Sequence, residues 1–254
     1  MESPGDRLRV ETAELSLLGA RDSNQDRVSV AVAEQCVLLL AVDGMGGHAE
    51  GERAAQIAQE LLTERFWHTP QPLLDPLGFL HLTIGQAHQR VVAHGASMPL
   101  EHRPRATCAV CVVQNRAAYW AHVGDSRVYH LRNGQLVTRT RDHSHVEILV
   151  REGVIGPEQM QTHPMRNFVE SCLGGESLLP EMSVSRRQPI KPGDVLLACT
   201  DGLWGSLDEA ALAAAFTSPQ TSLIEVLAGL GAKAVAAAGA TSDNTSAVAV
   251  RFLE

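Results

Sequence analysis

The sequence predicts an α+β fold, in which antiparallel sheets and helices occupy different stretches of the chain. Strand-like apolar runs fall mainly within 13–42 and 106–138, whereas residues 52–66 have the apolar spacing of an amphipathic helix. The dipeptide Asn133-Gly134 lies between two apolar arms, which is a strong hairpin signal. Because successive hairpins build antiparallel sheet, the pattern does not fit alternating βαβ units.

Each predicted element follows from its own local pattern. CVLLLAV and VLLAC are short, continuous apolar runs of the kind found in buried strands, and residues 52–66 carry one apolar stripe at helical spacing. The segment TPQPLLDP, rich in proline, is predicted to be a loop. In chain order we predict strands at 13–18, 27–33 and 36–42, helices at 52–66 and 77–94, strands from 106 to 138, a short helix with polar connections within 145–175, a strand at 195–199, helices at 208–216 and 222–238, and a last strand at 246–252.

Composition restricts the class of protein. The chain has 254 residues, 44% of them hydrophobic, which suffices for one domain over residues 1–254 with a substantial core. A net charge of −8 without a long basic run, and an aromatic content of 4%, argue against a nucleic-acid partner. MESPGDRLRV lacks the apolar core of a signal peptide, and no apolar stretch approaches the roughly 20 residues that span a bilayer. We therefore expect a cytoplasmic protein that binds neither membrane nor nucleic acid.

The five cysteines are predicted to be reduced thiols that fill the core. Their number is odd, and three of them lie in apolar runs. Cys108 and Cys111 form a CxxC pair, but they lie in a strand-like run, where residues three apart point to opposite faces. The pair therefore does not indicate a shared zinc ion.

Four aspartates are predicted to lie at strand ends. Asp26 precedes one strand, Asp43 and Asp201 each follow an apolar strand and precede glycine, and Asp243 precedes the last strand by two residues. Each one alone is ordinary turn chemistry. If the strand ends converge, however, carboxylates about 4 Å apart repel by about 4 kcal/mol at an effective dielectric near 20. Such a cluster takes up protons or a hard cation such as Mg²⁺ or Mn²⁺.

The glycine-rich loop after the third strand allows a second interpretation. Gly44-x-Gly46-x-x-Ala49 matches the dinucleotide-binding fingerprint. Against it, Asp43 would place a negative charge beside the pyrophosphate, Gly51 would interrupt the start of the next helix, and the following chain is rich in hairpins. No GK[ST] follows, which excludes a P-loop. The metal interpretation fits better, since glycines let the backbone approach closely and expose a carbonyl as a ligand.

Taken together, the motifs resemble those of the bacterial metal-dependent serine/threonine protein phosphatases, the PPM or type 2C family. The match covers most of the chain in the family's order, and its specificity comes from the whole set. The resemblance implies a four-layer α-β-β-α sandwich of two antiparallel sheets flanked by helices, with a binuclear metal centre at one end. The matching segments are RDSNQDRV, AVDGMGGHAEGE, ATCAVCVV, AHVGDSRVYHLRNGQL, TRDHSHVEILVREGVI, HPMRN, TDGLWGSL and SDNTSAVAV.

The resemblance also implies a set of metal ligands. Asp43 would bridge two Mn²⁺ or Mg²⁺ ions, with the carbonyl of Gly44 as a further ligand. Asp201 and Asp243 would hold the other metal of the pair. Asp125, in the GDSR segment, resembles the ligand of a third, weaker metal in bacterial relatives.

Three further residues acquire catalytic roles from the resemblance. Asp26 would orient metal-bound water, and Arg21 would bind the substrate phosphate with its fork of donors. His48 is a candidate general acid for the leaving oxygen, with metal-bound water as the alternative, while Met45 stands where eukaryotic relatives have a histidine. Gln25 stands where many relatives have glutamate, which removes one charge from the site.

Segment 140–175 resembles the family's flap subdomain, a loop region that shapes access of the substrate. It contains HPMRN at 163–167. It also contains His143 and His145, which could form a metal pair but fit a polar loop better because no third ligand is placed near them.

The function implied is hydrolysis of phosphoserine and phosphothreonine in proteins, with a serine/threonine kinase and its substrates as partners. The main alternative is a catalytically weak regulator that binds phosphoproteins on the same fold, and its only support is Gln25. A nucleotide-binding oxidoreductase is the third interpretation. The substrate, the kinase, the metal used in the cell and the oligomeric state are not predicted by the sequence.

Overall fold

The computed structural model describes residues 8–45 and 49–253. These residues form strands and helices in the mixture that the sequence predicts. The strands are β1 Val10–Leu17, β2 Asp26–Val32, β3 Cys36–Met45, β4 Arg105–Ala106, β5 Cys108–Gln114, β6 Ala117–Val123, β7 Arg127–Arg132, β8 Gln135–Arg139, β9 Leu173–Gly174, β10 Ser183–Val184, β11 Gln188–Pro189, β12 Val195–Cys199 and β13 Thr245–Phe252. The α-helices are α1 Ala49–His68, α2 Pro76–His94, α3 His145–Arg151, α4 Asp201–Trp204, α5 Glu209–Ala214 and α6 Leu223–Ala238.

The strands form two antiparallel sheets. The first sheet has the order β1-β13-β12-β7-β8. The second has the order β10-β6-β5-β3-β4-β9, with β2 paired to β3 and β11 paired to β6. The chain crosses from the second sheet to the first in the short turn between β6 and β7, so this turn lies where the ends of the two sheets meet.

Three layers of buried side chains hold four layers of structure together, as the resemblance implied. Between the two sheets pack apolar residues such as Leu39, Val113 and Val248. Leu62 and Ile84 belong to the core between α1, α2 and the second sheet. A third core, between the first sheet and α4 to α6, completes the α-β-β-α sandwich. The α+β prediction is confirmed.

Hairpin chemistry shapes the middle of the chain. Asn133 and Gly134, between β7 and β8, have φ angles of 51° and 70°, which confirms the predicted turn. The hairpin between β5 and β6 uses the same left-handed geometry at Asn115 and Arg116, with φ of 50° and 53°. This second turn has no glycine, and arginine at positive φ is uncommon, so the turn has a weak sequence signal.

Two predicted boundaries are wrong close to the candidate site. β3 does not end before Asp43 but continues through it to Met45, because its last residues pair with β4. The segment after β12 is not a simple turn, since Asp201 opens the short helix α4. In both places the aspartate is held by regular backbone hydrogen bonding, which fixes its direction more firmly than a loop would.

The cysteines are free thiols, as predicted. Cys108 packs with α1 and α2 on one face of the second sheet. Cys111 faces the first sheet instead. The CxxC pair therefore points to opposite faces, and burial raises the pKa of the Cys108 thiol to about 12.

Helix α6 departs from one expectation. The stretch Leu223–Thr241 is long and apolar enough to cross a membrane by length and composition, although the sequence analysis found no such stretch. In the structure, Leu223, Leu227 and Leu230 on this helix are buried in the core against the first sheet. Core helices of globular domains pass the same test of length and composition, so the finding is weak evidence for a membrane span.

Candidate metal centre

The register of two strands brings the first two aspartates together. In the antiparallel pair of β2 and β3, Asp26 lies directly opposite Asp43. Residues that face each other across an antiparallel pair project from the same face of the sheet, with Cβ atoms about 4.5–5.5 Å apart. Asp26 is only 3% exposed. The convergence that the sequence analysis had to assume is thus a consequence of strand register.

The other three aspartates come from the ends of neighbouring strands. Asp201 follows β12 and Asp243 precedes β13, and these two strands are paired in the first sheet. Asp125 lies in the turn where the chain crosses between the sheets. The hydroxyl of Thr200 donates to Oδ2 of Asp26 at 2.7 Å, which joins the two sheets at the site.

Burial and the charges of neighbouring carboxylates raise the pKa of Asp43 and Asp125. Burial and the charges of Asp26, Asp201, Asp125 and Asp243 raise the pKa of Asp43 well above its ordinary value. Burial, followed by the charges of Asp201 and Asp142, raises the pKa of Asp125 in the same direction. Each carboxylate thus makes its neighbours harder to ionise, which is the behaviour of an uncompensated cluster of negative charge.

Two members of the cluster titrate near neutral pH. Burial raises the pKa of Asp26 to about 7, helped by Asp201 and Asp243 and opposed by the hydrogen bond from Thr200. Burial and the charge of Asp243 raise the pKa of Asp201 to about 6, with Arg21 opposing. A divalent cation would replace protons here, because positive charge relieves the same repulsion.

The donor set suits a hard ion. All five side chains offer oxygen, which Mg²⁺ and Mn²⁺ prefer. Among residues 8–45 and 49–253, no three histidine, cysteine, aspartate or glutamate side chains are already arranged as a metal site.

Two glycines allow the backbone to approach closely beside Asp43. A Cβ atom on Gly44 would lie 2.0 Å from the carbonyl oxygen of Gly51. The prediction that Gly51 interrupts the following helix is wrong, because Gly51 lies inside the first turn of α1. Its missing side chain lets that turn pack directly on β3, so these glycines serve a close contact between strand and helix.

Backbone contacts of Gln25 connect three segments of the site. Its amide donates to Oδ1 of Asn244 at 2.9 Å, and its carbonyl accepts from the amide of Gly44 at 3.2 Å. Asn244 also donates to the carbonyls of Leu18 and Ser23. Asn244 was missed as a site residue, although it follows Asp243 in the quoted SDNTS motif.

Arg21 lies at the mouth of the cluster. Its Nη2 atom is 2.6 Å from Oδ2 of Asp243, and its side chain is 57% exposed. An exposed ion pair of this kind contributes about 0–1 kcal/mol, so exchanging the carboxylate for a phosphate costs little. The arginine is therefore placed to meet an anion that enters from solvent.

A cavity of about 730 Å³ opens from the cluster. Arg21, Asp125, Asp201 and Asp243 line its inner end. The segment 157–167 forms part of the opposite wall, together with residues of α4 to α6. Part of segment 140–175 therefore lines the cavity, and its role in substrate access stays a prediction.

The histidines of segment 140–175 do not form a metal pair. His143 stacks on His122 with ring centroids 4.5 Å apart, and its Nε2 is 2.8 Å from the hydroxyl of Ser183. His145 instead contacts Glu170 through Nδ1 at 2.7 Å. The polar-loop prediction is therefore right for His143 and wrong for His145, which is the first residue of α3. His48, the candidate acid, lies outside the described residues, as do Gly46 and Gly47.

A two-sheet sandwich with a carboxylate cluster at one end, open to a deep cleft, is the architecture of metal-dependent serine/threonine protein phosphatases. The family described as protein phosphatase 2C matches residues 16–234. This chain belongs to that family.

Individual relatives support the assignment. The chain is 32% identical over 201 residues to the serine/threonine protein phosphatase PstP of Mycobacterium tuberculosis; the match covers 79% of this chain but 37% of that protein. It is 32% identical over 187 residues to the serine/threonine phosphatase stp of Listeria innocua, covering 72% of this chain and 73% of that protein. The solved catalytic domain of PstP, in complex with two manganese ions, superposes with a TM-score of 0.80 at 28% identity, over 96% of this chain and 99% of that one.

Proposed function

We propose that this protein hydrolyses phosphoserine and phosphothreonine in proteins, using a pair of Mn²⁺ or Mg²⁺ ions. The observation that carries the proposal is a cluster of five carboxylates from both sheets, three of which (Asp125, Asp201 and Asp243) line a cleft of about 730 Å³. A protein has little other reason to keep Asp26 and Asp125 buried beside other carboxylates, because their raised pKa values measure a cost to the folded state.

The carboxylates divide the metal binding among them. Asp43, whose pKa burial and the charges of all four other aspartates raise, would hold both ions. Asp201 and Asp243, from paired strands, hold the second ion, and the Gly44 carbonyl is a further ligand. Asp125 serves a third, weaker ion. When bound, two such ions supply an activated water and neutralise charge on the phosphoryl group.

Two residues act directly on the reacting groups. Arg21 binds the phosphate of the substrate with its guanidinium, which also leaves Asp243 free to bind the metal. Asp26 accepts a hydrogen bond from the attacking water, while the Thr200 hydroxyl fixes the orientation of its carboxylate. The leaving oxygen needs a proton, and His48 is the proposed donor.

The cleft fits a protein substrate better than a free phosphate. Its volume of about 730 Å³ greatly exceeds one phosphate group, and its walls include residues of α4 to α6 and of segment 157–167. We propose that segment 140–175 acts as the flap over this cleft within a single domain. The partners would be phosphorylated proteins, including a serine/threonine kinase of the same cell and its substrates, in the cytoplasm.

Hydrolysis of a phosphothreonine peptide tests the proposal. We expect turnover by the purified protein with Mn²⁺, none with EDTA, and a loss of at least a hundredfold in Asp201→Asn at saturating peptide. Glu101→Gln, an exposed residue, is the matched control for loss of one charge. A wild-type protein that binds Mn²⁺ and the phosphopeptide without turnover would instead be a regulator, and the proposal would be wrong.

A further inference from the structure

Trp204, the last residue of α4, contacts the loop that carries Asp125. Its indole Nε1 donates to the carbonyl oxygen of Asp125 at 3.0 Å. It also lies three residues after Asp201, in the same short helix. One side chain therefore connects the segment of Asp201 to the segment of Asp125 across the inner end of the cleft.

A buried arginine holds the indole in place. The guanidinium carbon of Arg127 lies 3.4 Å from the centroid of the Trp204 ring. The same guanidinium donates to both carboxylate oxygens of Asp142 at 2.8 and 2.7 Å, and to the hydroxyl of Tyr129 at 2.9 Å. Because Asp142 and Tyr129 occupy the donors of the planar Arg127 guanidinium on two sides, its orientation is fixed. The Trp204 ring stacked on that guanidinium is therefore fixed as well.

The Asp125 loop is fixed on its other side by the second sheet. The hydroxyls of Ser126 and Thr107 are 2.6 Å apart, and the amide of Thr107 donates to the carbonyl of Asp43 at 2.8 Å. Gly124 has φ of +93°, and a Cβ there would lie 2.7 Å from the Thr107 side chain. The second sheet thus determines the position of the loop relative to Asp43, whereas Trp204 determines it relative to Asp201.

We propose that Trp204, held by Arg127, is a positioning residue that sets the separation of Asp125 and Asp201 and so the cation affinity of that side of the centre. The inference rests on the proposed function only in taking Asp125 as a cation ligand. The indole N–H is the specific requirement. A residue that merely filled space would need the aromatic ring and not its donor.

Trp204→Phe isolates that donor, since phenylalanine keeps an aromatic face for Arg127. We expect the weakest class of Mn²⁺ sites, measured by titration calorimetry at 25 °C, to lose about ten- to a hundredfold in affinity, the usual effect of removing a partner behind a metal ligand. Trp67→Phe is the matched control, because Trp67 is 53% exposed on α1. Circular dichroism and thermal melting establish that each variant is folded at the titration temperature.

A double-variant cycle assigns the effect to Asp125. Asp125→Asn should itself remove the weak sites, and adding Trp204→Phe should then change nothing further. Arg127→Lys, which keeps the charge and loses the fork, should reproduce the loss seen in Trp204→Phe. This second route keeps the proposal testable if the tryptophan variant does not fold.

The outcomes separate this proposal from the proposed function. If Trp204→Phe and Arg127→Lys titrate like the wild type, or if Trp204→Phe still weakens binding in the Asp125→Asn background, the positioning role is overturned. If the wild type binds Mn²⁺ but does not hydrolyse the phosphopeptide, the proposed function fails while the titrations still decide the role of Trp204. A wild type that binds no Mn²⁺ overturns both.

Discussion

Asp26→Asn is expected to stabilise the metal-free protein at pH 8 while abolishing activity. The pKa of Asp26 is about 7, against an ordinary value of 3.8. Because the folded state holds this proton more tightly than the unfolded state, wild-type stability falls as the pH rises from about 4 to about 7 and stays reduced above that. At about 1.4 kcal/mol per pKa unit, ionising Asp26 at pH 8 costs the folded state about 4 kcal/mol.

The net gain is smaller than that cost. Asparagine keeps an oxygen that accepts from Thr200, but its amide adds a buried donor worth about 1–3 kcal/mol if it is unpaired. We therefore expect about 1–3 kcal/mol of stabilisation, or roughly 2–10 °C in melting temperature at about 2–4 °C per kcal/mol for a chain of this size.

The assay is thermal melting in EDTA at pH 8 and at pH 5. The gain should be present at pH 8 and be largely absent at pH 5, where only about 2 kcal/mol of the ionisation cost remains and the unpaired amide offsets it. Glu101→Gln, exposed on the surface, controls for the change in net charge and should melt like the wild type at both values. An Asp26→Asn protein that melts at or below the wild-type temperature at pH 8 refutes the reasoning.

Three further substitutions test other parts of the site and the fold. Gly44→Ala places a methyl group 2.0 Å from the backbone oxygen of Gly51, so we expect a lower melting temperature and lost Mn²⁺ binding in calorimetry; wild-type behaviour would contradict the close contact. Thr200→Val removes the hydroxyl that donates to Asp26 and lowers the pKa of that carboxyl. The pH at which Mn²⁺ affinity is half-maximal should therefore rise. An unchanged profile between pH 5.5 and 8.5 would show that Thr200 does not tune Asp26. Asp194→Ala removes the carboxylate that pairs with Arg132 and with the buried ring of His130 at the far end of β12 from the cleft, so stability should fall by about 1–3 kcal/mol because the His130 nitrogen loses its partner. Mn²⁺-dependent turnover at 25 °C should stay unchanged; reduced turnover would show coupling along the strand.

The sequence predicted the fold well because its patterns are local. Alternating and continuous apolar runs mark strands, and the Asn133-Gly134 turn marks a hairpin, so most elements lie within a few residues of their predicted bounds. The start of α2 also has a local signal, since Asp75 caps it by accepting from the amide of Gly78. The extension of β3 through Asp43 had none, because it depends on pairing with β4, some 60 residues away in the chain.

The sequence predicted which residues belong to the site, but it did not predict how their side chains are arranged in space. The strand-end aspartates could be predicted from their position next to apolar runs. That Asp26 lies opposite Asp43, however, is shown only by the register of β2 and β3. Thr200 and Trp204 were missed as site residues because their roles are hydrogen bonds to distant segments, and neither residue type signals such a contact. Long-range packing produces these contacts, and a single sequence carries no direct record of them.

The most direct test of the account is anomalous diffraction at the manganese edge from crystals of the protein grown with Mn²⁺. We expect two strong peaks at the inner end of the cleft, with Asp43 between them and Asp201 and Asp243 beside one of them. We also expect that soaking in EDTA removes both peaks. Manganese bound elsewhere, or a single ion that Asp43 does not touch, would contradict the binuclear centre.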